Sequence, residues 1–163
     1  MTPGGRRDHV IGLISDTHGL VRPEVYDALK GVELILHAGD VGDGVLEELG
    51  AIAPIQAVFG NTDDPGDPRL SRSIERTIDG VRIHVSHGHE VGSPTPERLL
   101  ATYDADVIVY GHTHQQKVVE RDGRVVVNPG AAGPRRFKLT PSVGRLTIAS
   151  GKPRVEIVNL GDR

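Results

Sequence analysis

The 163-residue chain holds eight histidines and no cysteine, so any transition-metal site in it must be built from imidazole, carboxylate and amide groups. Those side-chain types gather in five short clusters: Ser15-Asp16-Thr17-His18-Gly19, His37-Ala38-Gly39-Asp40, Gly60-Asn61-Thr62-Asp63, His87-Gly88-His89 and Gly111-His112-Thr113-His114. Asp16 and His18 stand two residues apart, as do His112 and His114, so on a turn both members of a pair can face one ion. Asp40 has two carboxylate oxygens with which to bridge two ions, Asn61 offers an amide oxygen and His87 a ring nitrogen. Asp16, His18, Asp40, Asn61, His87, His112 and His114 thus make seven ligands, enough for two four-coordinate ions that share Asp40. Sulfur-free nitrogen and oxygen ligation suits Mn, Ni, Fe, Co or Zn, and Mn heads that order here; Mg is a poor partner for four imidazoles. Two divalent ions set against the Asp16 and Asp40 carboxylates leave a charge of about +2, which attracts an anion. Two such ions about 3.5–4 Å apart can activate a bridging hydroxide and neutralise phosphate oxygens. The chemistry expected is phosphoester hydrolysis by direct in-line attack, with no covalent enzyme intermediate.

Each cluster follows a short apolar run, at residues 10–14, 33–36, 55–59, 81–86 and 105–110. These runs are rich in Val, Ile and Leu and too short for helices, so they read as buried strands. Helical patterns fall at residues 23–30, 44–51 and 96–102, with Pro23 suited to a first helical turn. The first half therefore reads β-α-β-α-β, which calls for a parallel sheet with right-handed crossovers. The second half adds antiparallel pairs, residues 116–120 with 124–127 around Arg121-Asp122-Gly123, and 143–149 with 154–160 around Ser150-Gly151-Lys152-Pro153. The expected fold class is mixed α/β, a sandwich of two mixed sheets with helices outside. In such sheets the carboxyl ends of parallel strands line the binding crevice, which would bring the five clusters to one edge. Residues 63–67 read as a loop within a single domain spanning 1–163.

Composition narrows the function further. The 19 Lys and Arg against 22 Asp and Glu give a net charge of −3, and aromatic residues make up 3% with no Trp. A general nucleic-acid surface and a base-stacking platform are both disfavoured. The lack of cysteine excludes disulfides, thiolate zinc sites, iron–sulfur clusters and cysteine nucleophiles. The polar segment 1–8 reads as flexible and lacks a secretory signal, and no run reaches membrane-helix length, so a soluble cytoplasmic protein is expected. A homodimer stays open.

The clusters resemble, in order, the motifs of the calcineurin-like metallophosphoesterase superfamily: Asp16-Thr17-His18, Gly39-Asp40, Gly60-Asn61-Thr62-Asp63, His87-Gly88 and Gly111-His112-Thr113-His114. Asn128-Pro129-Gly130 and the compact length look like the small YfcE-type phosphodiesterase branch. The resemblance implies a four-layer α-β-β-α sandwich, with one metal on Asp16, His18, Asp40 and His114 and the other on Asp40, Asn61, His87 and His112. It also implies a phosphodiesterase acting on a small diester, with Asp40 and the metals positioning the nucleophile and Asn61 fixing the second metal. Many members of the superfamily place a His directly after the Asn to protonate the leaving group; here that position is Thr62, which cannot act as a strong acid near neutral pH. The small branch tends to lack that His, so the acid is unassigned.

Lesser positions carry two readings each. His89 is a candidate catalytic wall of the pocket or a loop hydrogen-bonder. Asp63 either orients a ligand or caps its loop. Asn128, Arg135 and Arg136 either contact substrate phosphate or belong to an ordinary loop. His37 reads as a structural partner at a strand end, His84 as a sheet residue and His9 as surface. Against the whole metal reading stands the bland one, seven ordinary turn and capping residues. Two rival functions share the fold: a phosphomonoesterase or nucleotide/pyrophosphate hydrolase, and a non-catalytic scaffold of the Vps29 kind.

Overall fold

The computed structural model describes residues 8–135 and 138–161, so Arg136 and all but the last residue of the segment 1–8 lie outside the described residues. Two mixed sheets face each other. The first is ordered β11-β10-β1-β2-β3-β4, from β1 (His9–Ile14), β2 (Leu34–His37), β3 (Ile55–Val58), β4 (Leu70–Ser71), β10 (Ser142–Ala149) and β11 (Lys152–Asn159). β1 to β4 run parallel, and β10 and β11 close one side as an antiparallel pair. The second sheet is ordered β5-β6-β7-β9-β8, from β5 (Ile74–Ile78), β6 (Val81–Val85), β7 (Val107–Val109), β8 (Lys117–Arg121) and β9 (Arg124–Asn128). Its three central strands are parallel, with an antiparallel strand on either side.

The continuous apolar runs follow from burial on both faces. In β1, Ile11 and Leu13 enter the core between the sheets, while Ile14 packs with α1 (Pro23–Ala28) and α2 (Val45–Gly50) outside. In β7, Val107 and Val109 face the inner core, while Ile108 meets Leu99 of α3 (Pro96–Thr102). Three apolar clusters thus fill the three gaps of a four-layer α-β-β-α sandwich. Among the described residues no helix is long and apolar enough to cross a membrane.

The differences from the sequence reading are local. α3 keeps its expected bounds, because Pro96 opens it and the Thr95 hydroxyl accepts from the Arg98 amide. α1 and α2 have six residues each and no side-chain N-cap. Helices that short are marginal alone and stand by burying Val25, Val45 and Leu49. β4 and β5 were not anticipated. β4 has two residues, too few for a pattern, and the exposed centre of β5 hides its strand character. Yet β5 and β6 form a hairpin around Asp79-Gly80, both at positive φ (51° and 82°), a turn signal legible in the sequence.

Leu36 is fully buried between the sheets. Leu36→Ala should lower stability by about 2–5 kcal/mol, read from chemical denaturation, and a smaller loss would mean that the two sheets close over the gap.

Candidate metal centre

The parallel strands of both sheets end at the same edge. The first sheet delivers Asp16 and His18 after β1, Asp40 after β2 and Asn61 after β3; the second delivers His87 after β6, and His112 and His114 after β7. The loop after β1 is pinned to the loop after β2 by backbone bonds from Asp16 N to Gly39 O, His18 N to Asp40 O and Gly19 N to Val41 O, each 2.9 Å. Asp16, His18, Asp40, His112 and His114 all take left-handed backbone, with φ from 46° to 72°. Asp and His tolerate that region better than most residues, at a cost of about 1–3 kcal/mol each, and the surrounding bonds hold them there.

The two carboxylates are handled alike. Asp16 Oδ2 accepts from the Ser15 hydroxyl at 2.7 Å and the His112 amide at 3.2 Å. Its Oδ1 is buried, has no hydrogen-bond donor among the described residues, and faces the Nε2 atoms of His114 at 3.5 Å, His18 at 3.9 Å and His87 at 4.0 Å. Asp40 Oδ1 accepts from the Thr62 amide at 3.0 Å and hydroxyl at 2.8 Å. Its Oδ2 faces His87 Nε2 at 3.3 Å and His18 Nε2 at 3.6 Å. Thr62 thus donates to one Asp40 oxygen, and the other faces both histidines. Glycines seal the occupied sides. A Cβ at Gly60 would stand 2.1 Å from Asp40 Oδ1, and one at Gly111 would stand 2.7 Å from Asp16 Oδ2.

These spacings suit an ion. Two ligand atoms about 2.1 Å from one ion at tetrahedral angles stand about 3.4 Å apart. One ligand atom each from Asp16, His18, Asp40 and His114 lies within 4.8 Å of the others. Beside them, Asn61 Oδ1 lies 3.0 Å from His87 Nε2 and 3.2 Å from His112 Nδ1. His87 Nδ1 donates to Ala38 O at 2.8 Å, so Nε2 of the neutral ring presents its lone pair to Asn61 and Asp40 oxygens. Lone pairs aimed at one another require a proton or a cation between them. The acid–base balance carries the same demand: burial pushes the Asp16 carboxyl up to about 7. Burial lowers His87, but Asp40 and Asp16 outweigh it and raise the imidazole. Burial also raises Asp40, but its His87 and Thr62 partners hold it well below the usual carboxylate range. The donor set fits divalent ions. Over it opens a cavity of about 270 Å³ lined by His18, Asp40, Asn61, Thr62, His112, Thr113 and His114.

Residues 10–151 match the calcineurin-like phosphoesterase superfamily domain. The chain belongs to that superfamily. It is 40% identical to a probable metallophosphoesterase of Methanothermobacter thermautotrophicus, over 93% of each chain. It is 31% identical to a phosphodiesterase of Methanocaldococcus jannaschii, over 74% of this chain and 82% of that one. The vacuolar protein sorting protein 29 of Cryptosporidium parvum shares the fold, with a TM-score of 0.77 at 22% identity over 93% and 97% of the two chains.

Around this candidate site, several neighbours have structural work. His37 is buried; its Nδ1 accepts from Gly39 N at 3.0 Å and its Nε2 donates to Thr17 Oγ1 at 2.9 Å, whose hydroxyl reaches Val41 O at 2.7 Å. This is the structural partner expected at that strand end. Asp63 joins two loops, accepting from the Val41, Gly42 and Gly60 amides at 2.9–3.2 Å, so it both caps and orients. Asn128 is buried and donates to Gly111 O at 3.2 Å and Thr113 Oγ1 at 3.0 Å, which holds the loop of His112 and His114. Arg135 is exposed. His89 is half-buried beside the site, its ring centroid 5.3 Å from that of His87 and 6.3 Å from that of His112, and it lies outside the close ligand group. His9 bonds Glu33 and His84 bonds Glu75, both away from the centre. Ser15 was missed by the sequence reading; a hydroxyl next to a candidate ligand was its only local signal.

Gly60→Ala drives a methyl into Asp40 Oδ1 and should abolish divalent-ion binding by calorimetry while secondary structure persists. A second expectation concerns His37, whose imidazole burial pushes down to about 3 from 6.5. The unfolded chain then binds a proton that the folded chain refuses between those values, so stability falls as pH drops below about 6.5. His37→Gln should flatten that pH dependence of the denaturation midpoint; an unchanged slope would refute the assignment.

Proposed function

We propose that the chain is a dinuclear-metal-dependent phosphodiesterase of the cytoplasm, acting on a small diester. The observation that carries this reading is the pair of buried carboxylates whose cleft-facing oxygens meet imidazole nitrogens at 3.3–4.0 Å. Asp16, His18, Asp40 and His114 would hold one ion and Asp40, Asn61, His87 and His112 the other, with Asp40 common to both sets. Mn is the first expectation, with Ni, Fe, Co and Zn compatible with the same donors. When bound, the ions supply water activation and neutralise charge on the phosphoryl oxygens.

The chain's own groups then divide the remaining work. The Ala38 carbonyl fixes the tautomer of His87, so its Nε2 stays directed at the cleft. Asn61 uses its Oδ1 toward the two imidazoles, which leaves its exposed amide NH2 to donate to a phosphoryl oxygen. His89 forms a polar wall. Thr62 commits its hydroxyl proton to Asp40, so no side chain at that position protonates the leaving group. The phosphodiesterase name of the Methanocaldococcus jannaschii relative supports a diester over a monoester. The intact set of ligands supports catalysis over a scaffold.

Three measurements test this. Asp40→Asn and His87→Ala should each lower kcat by at least about 100-fold in metal-replete buffer; full activity in either sinks the site. Bis-p-nitrophenyl phosphate should be hydrolysed in preference to p-nitrophenyl phosphate, and the reverse order would favour the monoesterase. Rates across a series of diesters should fall steeply as the leaving group becomes more basic, because no side-chain acid assists its departure. A flat dependence would reveal an acid elsewhere in the site.

A further inference from the structure

The outer face of the second sheet carries a run of polar side chains that no step above uses. His84 is buried on β6, between Ile83 and Val85 of the inner core. Its Nδ1 donates to the Glu75 carboxylate on β5, and its Nε2 lies 3.1 Å from Ser86 Oγ. Its ring stacks on Tyr103, just past α3, with centroids 3.7 Å apart and planes 23° apart. The Tyr103 hydroxyl donates to Glu90 Oε2 at 2.7 Å. The other oxygen, Glu90 Oε1, accepts from the Gly88 amide at 2.9 Å. Glu75, His84, Ser86, Glu90 and Tyr103 form one connected chain, and its last bond lands on the backbone next to His87.

The turn this chain grips has little freedom otherwise to be correct. Gly88 sits at φ 105°, and a Cβ there would stand 3.0 Å from Pro94. Only a three-residue 3₁₀ turn, His89–Val91, follows it. The chain joins buried His84 and Ser86 to half-buried Tyr103 and the exposed carboxylates of Glu75 and Glu90, and its hydrogen bonds restrict the local geometry. Here the geometry fixed is that of residues 86–90. The ring of His87 is set at one end by its bond to Ala38 O and at the other by the course of this turn.

We propose that Glu90, held by the Tyr103 hydroxyl and bonded to the Gly88 amide, is a positioning residue for His87 and so sets the affinity of the ion site formed by Asp40, Asn61, His87 and His112, leaving that of Asp16, His18, Asp40 and His114 unaffected. This rests on the dinuclear reading. It assigns the outer helix layer a part in the chemistry at the opposite edge of the sheet: Tyr103, at the end of α3, is the link.

The test is a calorimetric titration of the metal-free full chain with Mn²⁺, with anomalous scattering in crystals to identify which ion is lost. The unaltered protein should take up two ions in two steps. Glu90→Ala and Tyr103→Phe should weaken the second step roughly tenfold, with the first step unchanged. Glu90→Gln, which keeps an oxygen for the Gly88 amide, should restore most of that loss. Glu97→Gln, in an exposed pair with Arg121 on the same helix, should change neither step. Tyr103→Phe keeps the ring stack, so it reports on the hydroxyl even if Glu90→Ala fails to fold. Equal weakening of both steps, or an unchanged second step in Tyr103→Phe, overturns the proposal. A single step in the unaltered protein overturns the dinuclear reading itself, and this proposal with it.

Discussion

Each of the two site carboxylates gives one oxygen to the protein and turns the other, poor in donors, toward the imidazoles. The structure at this edge is organised around that division. Ser15, the His112 amide and Gly111 crowd Asp16 Oδ2, while Thr62 and Gly60 do the same for Asp40 Oδ1. The carboxylates therefore cannot rotate to share their charge with solvent. A buried carboxylate oxygen without a donor is costly, and a positive charge in the cleft is the direct relief. The left-handed backbone at five candidate ligands, the loop-to-loop bonds and the buried His37 all serve to hold this unfavourable arrangement against relaxation.

How much of this was legible in the sequence follows from the range of the interactions. The polar clusters after apolar runs are local signals, and so were the parallel strands and α3 with its Thr95-Pro96 start. The seven candidate ligands could be named because ligand types at strand ends are visible one cluster at a time. The interactions that orient them were not visible. Asp63 reaches back to Val41 and Gly60, and Asn128 reaches Gly111 and Thr113, in contacts that only the fold creates. Thr62 is the instructive case. Read in sequence it is a missing acid; in the fold it is a pair of donors to one Asp40 oxygen. The β5–β6 hairpin was a different kind of miss, since Asp79-Gly80 is a local turn signal that stood in plain view.

Absence of an acid and presence of a donor at residue 62 have one physical origin. A hydroxyl short enough to reach back to Asp40 stays within its own loop. What residue 62 gives instead of an acid is a fixed orientation of the Asp40 carboxylate. The compact helices fit the same economy of parts: at six residues each, α1 and α2 are covers for the first sheet and carry none of the ligands.

The candidate ligands come from two separate sheets, with Asp16, His18, Asp40 and Asn61 on one and His87, His112 and His114 on the other. An ion held between them is also a cross-link between layers that are otherwise joined at this end by loop contacts and, deeper in, by apolar packing. Binding to the folded chain alone would add about 4 kcal/mol of stability at a free concentration a thousand times the dissociation constant. The mechanical integrity of the sandwich and its readiness for chemistry would then rise and fall together with the supply of metal.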